Sequence, residues 1–431
     1  MVMTDVVVYG TVEPGFEGVR AAFEENFRQH GDKGASVGVY VDGEQKVDLW
    51  GGVADVATGQ AWQRDTMAIM YSVTKGATAT LAWLLAQRGL LDFDAPVAEY
   101  WPEFAGGGKA AVPVRYLFTH QAGLPYLDQQ LSREEVLDGA RVTEVLEQQA
   151  PVWEPGTAHG YHAVTFGWLA AAVIARVTGR RLGQVFAEEI AGPLGLDFHI
   201  GLPAGESARV AQLVDIPPPD PAAFAAITDP AVMETVLAVR AAMLDPSSTF
   251  SRALSTNGVL PALDARTWND PAIYQAEIPA ANGISNGRSL ARMYAATVSE
   301  VDGVRLLTDE TVHKASAEQV SGPDLTLLVP TRFGTGFQLP WPNLPMLSAA
   351  SFGHSGLGGA LGFADSRYKV GFGYVQNQLL SSLGPDQRTL GLVAAVADAV
   401  GAPTPGSDVG ADQRPAKRGS RRSTNAFAAS R

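Results

Sequence analysis

The stretch Met70-Tyr71-Ser72-Val73-Thr74-Lys75-Gly76 places a serine hydroxyl three residues before a lysine. Apolar residues follow at Val73, Ala77, Leu81, Leu84 and Leu85, a spacing that predicts a helix buried on one face. Residues i and i+3 are neighbours on a helix surface, so Ser72 Oγ and Lys75 Nζ should sit side by side. Ser72 would lie in the first turn, where backbone N–H groups point outward and the helix dipole is positive. A neutral serine is a poor nucleophile until a base comes within hydrogen-bond reach. Lysine can be that base if burial lowers its pKa from roughly 10.4. Such a tetrad recurs by chance, most often as a helix start beside a solvated lysine, so its company decides.

Two other stretches carry groups of the right kind. One is His159-Gly160-Tyr161-His162-Ala163, just before an apolar run. The other is Gly353-His354-Ser355-Gly356-Leu357-Gly358-Gly359, at the start of a late pair of strand-like segments. A competing nucleophile is Ser285 in Gly283-Ile284-Ser285-Asn286-Gly287, which fits G-x-S-x-G. That elbow needs a strand immediately before it. Glu277 to Asn282 holds a proline and no β-branched run, so a loop leading to a helix N-cap is the better reading. His159 and His162 are three apart, but no third ligand lies at metal-binding spacing. His30, His120, His199 and His313 are scattered, and His120 is expected to hold a loop behind the site. The runs Gly106-Gly107-Gly108 and Gly356 to Gly359 lack the context of a phosphate loop. No metal and no cofactor is expected.

The elements that must position these groups can be read along the chain. A helix is predicted over Gly15–His30 (Phe16, Val19, Phe23, Phe27). A hairpin follows, from Ala35–Val41 and Lys46–Trp50 around Asp42-Gly43. From about Leu90 to Leu347 helices and loops dominate. Ser132-Arg133-Glu134-Glu135 opens a helix with a capping box. Phe166–Val177 ends at Gly179, and Pro230–Leu244 has Asp229 as N-cap. The Pro- and Ala-rich segment 203–281, with Pro217-Pro218-Pro219 and Asp220-Pro221, reads as a lid or as surface decoration. Strands return at Gly359–Ala364 and Tyr368–Gln376, followed by a closing helix over Gln387–Val400. The expected division is therefore an α/β part from 15–85 and 348–401, a helical part over 86–347, and a disordered basic tail over 402–431.

Composition bounds the function. The chain has 431 residues, 46% of them hydrophobic and 18% charged, enough for a sizeable core. A net charge of −13 argues against nucleic acid or an anionic membrane as partner. Without cysteine, disulfides and thiolate metal sites are excluded. Residues Met1–Tyr9 do not read as a secretory signal, and no run is apolar enough to span a membrane. A cytoplasmic location is the expectation.

Together, Ser72 and Lys75, Tyr161, and His354-Ser355-Gly356 resemble the three motifs of the serine β-lactamase and penicillin-binding-protein superfamily. More narrowly the chain resembles the family VIII carboxylesterases, which are similar in fold to class C β-lactamases. Thr119-His120-Gln121-Ala122-Gly123-Leu124-Pro125 adds to the likeness, which covers roughly residues 15 to 400. The resemblance implies an α/β plus all-α, β-lactamase-like fold: an antiparallel sheet flanked by helices, with a large helical insertion. It implies catalytic roles for Ser72 (acylated nucleophile), Lys75 (its partner) and Tyr161 (proton shuttle). It places the backbone N–H groups of Ser72 and Leu357 in an oxyanion hole. His354, Ser355 and Gly356 become an edge strand that lines the substrate, with Gly356 letting substrate approach the backbone.

A lysine beside Tyr161 is expected to favour the phenolate, the two titrating as a coupled pair. Two departures stand out. His354 replaces the lysine of Lys-Thr-Gly, and Ala163 replaces the asparagine two residues after the motif tyrosine. Both argue for short-chain neutral esters over anionic β-lactams, with His354 neutral at pH 7 and charging toward about pH 5.5. The alternatives are an acyltransferase, a β-lactamase or D-alanyl-D-alanine peptidase, and a non-catalytic binding module. The partner expected is a small-molecule ester; the oligomeric state stays open.

Overall fold

The computed structural model describes residues 6–217, 224, 227–380 and 385–407. The first part of the chain supplies β1 (Val8–Val12), helix α1 (Glu17–Arg28), β2 (Gly34–Val41), β3 (Glu44–Asp55) and β4 (Gln60–Ala61). Next come the two-residue β5 (Ala68–Ile69) and helix α2 (Val73–Gln87). Four short strands lie in the long middle stretch: β6 (Phe198–His199), β7 (Ile284–Ser285), β8 (Val320–Pro323) and β9 (Pro330–Phe333). The end of the chain adds β10 (Ser351–Ser355), β11 (Leu361–Asp365), β12 (Val370–Gln376) and a helix over Gln387–Val400.

One antiparallel sheet joins the two ends of the chain in the order β1-β3-β2-β12-β11-β10, with β4 on β3. Alternation along β2 explains how it is filled. Ala35, Val37 and Val39 join Phe16, Val19, Phe23 and Phe27 of the α1 region and Leu392, Val393 and Val396 of the last helix in one core on one face. On the other face the helix Gly287–Val298 lies directly on β12, β2 and β11. That approach needs glycine, because a Cβ at Gly371 or Gly373 would fall inside the helix backbone at Ala291 or Gly287. This is a β-lactamase-like arrangement, an antiparallel sheet flanked by helices.

Several expected signals are realised in detail. Ser132 accepts from the Glu135 N–H while Glu135 returns the bond, Gly179 ends its helix at φ 69°, and Asp229 caps Pro230–Leu244. Others differ. The strand expected from Gly359 begins at Leu361, because Gly358 and Gly359 form the turn with φ of 85° and 118°. The helix α2 was expected to bury one face; every residue from Val73 to Leu85 is buried. Small residues make this possible. A Cβ at Gly76 would collide with the Tyr294 hydroxyl, and Thr78 and Thr80 turn their hydroxyls onto the carbonyls of Pro279 (2.7 Å) and Gly76 (2.8 Å).

Ser285 lies in β7, paired with β5 and β6, where a loop was expected. Its buried hydroxyl donates to the Asp197 carbonyl at 2.8 Å, and Asn286 is the N-cap of the helix that follows. Of the suggested lid, 203–217, 224 and 227–281 are described; Pro218, Pro219, Asp220 and Pro221 lie outside. So do residues 408–431 of the expected tail. No described helix is long and apolar enough to cross a membrane.

Candidate active site

The start of α2 is built by its neighbours. Tyr71 sits at φ 46°, a region costly for a bulky residue, with its ring 4.8 Å from that of Trp268. Met70 N–H donates to the Gly283 carbonyl at 2.9 Å, and Gly283 N–H donates to Thr74 Oγ1 at 2.8 Å. The segment holding the rejected serine thus braces the helix that carries Ser72.

Lys75 is fully buried. Its Nζ lies 3.0 Å from Ser72 Oγ, 2.7 Å from the Ala163 carbonyl and 3.0 Å from the Ala280 carbonyl. It also sits over the rings of Tyr161 (4.7 Å) and Phe166 (5.7 Å). Burial, with no carboxylate partner among the described residues, holds its pKa well below the ordinary lysine value. Both carbonyls can only accept, so they take two N–H groups. Once burial has made Lys75 a neutral amine, its lone pair is what remains for Ser72 Oγ–H. In this geometry Lys75 can receive the serine proton.

Tyr161 is buried between Phe333 (ring centroids 6.1 Å apart) and His120 (4.7 Å). Burial raises its pKa, and a hydrogen bond with Ser72 opposes the rise. The expected ammonium–phenolate pair is therefore corrected: desolvation acts on both groups and favours amine and phenol. Tyr161 N–H donates to both oxygens of the buried Asp324 (2.9 and 3.1 Å), which also accepts from Thr326 N–H, Leu327 N–H and Thr331 Oγ1. His120, at φ 61°, does hold a loop behind the site, with Nδ1 accepting from His162 N–H at 3.1 Å.

The turn after β10 supplies the other backbone group. Val73, Thr74, Lys75, Gly356 and Gly359 all donate their N–H groups to carbonyls. Those of Ser72 and Leu357 have no acceptor among the described residues. Gly356 is required for a reason other than substrate approach: a Cβ there would fall on the Met70 carbonyl. The contact holds the Leu357 turn against the start of α2.

β10 is the sheet edge, as expected, but His354 is 1% exposed. Its Nδ1 bonds the Ser355 carbonyl at 2.7 Å, and its Nε2 has no partner among the described residues. Burial, then the neighbouring Lys75, pushes its pKa down to about 3. Charging near pH 5.5 is therefore ruled out by depth. Ser355 gives both its N–H (2.8 Å) and its hydroxyl (2.9 Å) to Gln338 Oε1.

The structure brings Ser72, Lys75, Tyr161, His354 and Leu357 to one place. Asp324, Gln338 and the carbonyls of Ala163 and Ala280 join them without a sequence signal. Asp324 reads as part of a surface turn after Gly322-Pro323, and a backbone oxygen has no signature at all. No group of His, Asp or Glu among the described residues could hold a metal ion.

The Beta-lactamase family matches this chain over residues 19–396. Esterase/beta-lactamase LipL of Mycobacterium tuberculosis is 39% identical over 386 residues, 87% of this chain and 84% of that protein. Among solved structures, a family VIII carboxylesterase superposes with a TM-score of 0.79 at 37% identity, covering 91% of this chain and 100% of that one. EstA from Arthrobacter nitroguajacolicus Rue61a does so with a TM-score of 0.78 at 32% identity, covering 91% and 99%.

Proposed function

The chain belongs to the β-lactamase family and is a hydrolase of its esterase/β-lactamase branch, and from that premise we propose that it cleaves short-chain neutral carboxylic esters through an acyl-Ser72 intermediate. The observation that carries the reading is the partner set of Lys75: two carbonyls and the Ser72 hydroxyl, with no carboxylate.

Ser72 Oγ attacks the ester carbonyl as its proton passes to the Lys75 lone pair. The new ammonium has three N–H groups and, besides its two carbonyls, the Tyr161 side to give to. The carbonyl oxygen becomes an oxyanion between the N–H groups of Ser72 and Leu357, whose lack of other acceptors suits that task. Collapse breaks the bond to the alcohol oxygen, which takes a proton from Tyr161, and Tyr161 is reprotonated by Lys75. Water then repeats the sequence on the acyl carbon. Its proton goes to the same pair, the Oγ–acyl bond breaks, and Ser72 recovers its hydrogen. The net change is ester plus water to acid plus alcohol.

Preference for a neutral substrate rests on charge. Around Ser72, burial favours the uncharged forms of Lys75, Tyr161 and His354, and the Ser355 hydroxyl is taken up by Gln338. Ala163 offers no side-chain amide. An anionic β-lactam would therefore enter without a countercharge from these groups. The M. tuberculosis relative is named an esterase/beta-lactamase, so the test sets nitrocefin beside p-nitrophenyl esters from acetate to laurate. Short-chain esters should have the higher kcat/KM, and Ser72→Ala should abolish their turnover. A wild-type preference for nitrocefin at neutral pH would overturn the ester assignment.

A further inference from the structure

A buried charge cluster outside the site lies under the Leu357 turn. Arg388, in the last helix, is completely buried. Its Nη1 donates to Asp32 Oδ1 and to the Gln378 carbonyl, both at 2.9 Å, and its Nη2 reaches Asp386 Oδ2 at 2.6 Å and the Gly358 carbonyl. Asp32, equally buried, also accepts from the Tyr374 hydroxyl. A buried ion network of this kind is a weak source of stability, because desolvation offsets its attraction and apolar residues of similar volume often do as well. Its geometry suggests another use.

The Gly358 carbonyl is where the network meets the turn. Besides Arg388 it accepts from Gln376 Nε2 at 2.8 Å and from Leu380 N–H at 3.2 Å, three donors on an oxygen with two lone pairs. A Cβ at Gly359 would fall on Arg388 Nη2, so the turn rests directly on the guanidinium. At its other end Gly356 rests on the Met70 carbonyl, two residues before Ser72. The turn is held at both ends, and the Leu357 N–H without an acceptor lies between them.

We infer that Arg388 and Gln376 are positioning residues for the oxyanion hole: by fixing the Gly358 carbonyl they hold the Leu357 N–H at the distance from the Ser72 N–H that a developing oxyanion requires. This rests on the acyl-Ser72 reading above. Because hydrogen bonds to the oxyanion depend on placement to a fraction of an ångström, loosening the turn should act on the transition state more than on substrate binding.

Two variants separate this role from plain stability. Arg388→Lys keeps a cation opposite Asp32 but loses the fork that reaches Gly358. Gln376→Met removes one donor without burying a charge, and it decides the matter alone if Arg388→Lys fails to fold. The readouts are kcat and KM for p-nitrophenyl butyrate per site titrated with a fluorophosphonate, and the acyl-enzyme carbonyl stretch from a slowly hydrolysed, carbonyl-labelled aryl ester. Expected is a fall in kcat on the order of tenfold or more for Arg388→Lys and severalfold for Gln376→Met. KM should change little, and the carbonyl frequency should rise toward that of an unbonded ester. A Ser72 adduct whose rate and frequency match wild type in the folded variants overturns this inference alone. Absence of any Ser72 adduct in wild type overturns the reading of the site and the inference with it.

Discussion

Two lysines among the described residues are fully buried, and they have been put to different ends. Lys109 gives its three N–H groups to three carbonyls, those of Gly106 (2.6 Å), Glu147 (3.1 Å) and Gln149 (2.5 Å), and lies 5.1 Å from the Phe104 ring centroid. Lys75 has the same kind of surroundings, two carbonyls and two aromatic rings, but its third partner is a hydroxyl. Burial lowers both pKa values. At Lys109 the nearby Asp128 and Glu147 limit the fall to about 8, so it stays an ammonium at neutral pH and ties the end of the helix Ala140–Gln148 to the glycine loop. At Lys75 no carboxylate opposes burial, and the amine keeps a lone pair for Ser72. Depth alone does not make a lysine a base. A hydroxyl in place of the third carbonyl, and the missing carboxylate, do.

The contrast breaks most sharply under substitution. Lys75→Ala should lower kcat by about 10²–10⁴, the range of a lost acid–base group, in a protein that still folds. Lys109→Met should leave kcat per titrated site nearly unchanged and lower the melting temperature, since three buried carbonyls lose their donors at about 1–3 kcal/mol each before relaxation. Equal losses of kcat in the two variants would erase the distinction. Tyr161→Phe should fall in the same range as Lys75→Ala, and the double variant should be scarcely worse than the poorer single one, because both groups move one proton. Multiplicative losses would separate them.

Smaller effects sharpen the comparison. A base must be neutral to act, so activity rises with pH through its pKa and is flat above it. With an ordinary lysine, kcat/KM would rise about tenfold per unit from pH 7.5 to 9.5; with the Lys75 pKa lowered by burial, the rise over that span should be clearly shallower. Titration of Lys109 near pH 8 should leave no mark on the profile. The smallest effect concerns His354. Held down to about 3, it stays neutral from pH 5 to 8, so the ratio of nitrocefin to p-nitrophenyl butyrate kcat/KM should be level across that range. A ratio that climbs toward pH 5 would place a titrating cation in the pocket.

What could be read from the residues was local or periodic. The Ser72–Lys75 juxtaposition follows from helix geometry, the two hairpins from alternation and turn residues, and the caps at Ser132, Gly179 and Asp229 from their side chains. Depth was not legible. Gly76, Thr78 and Ala79 look neutral in an apolar pattern, yet their small size lets α2 be enclosed on all sides. The same blindness made His354 look like a pH-sensitive pocket residue when it is a buried neutral one. Partners far along the chain were silent too: nothing in Ser321-Gly322-Pro323-Asp324 announces that the carboxylate will hold the Tyr161 backbone.

The central claim is the charge of Lys75, and it can be read directly. Selective ¹³Cε-lysine labelling with NMR detection, assigned through Lys75→Ala and Lys109→Met, gives the protonation state of each amine as pH is varied. The account predicts that the Lys75 signal moves to the neutral-amine position at a pH well below the ordinary lysine range, while Lys109 titrates near 8. A Lys75 signal that stays at the ammonium position up to about pH 9 would contradict it.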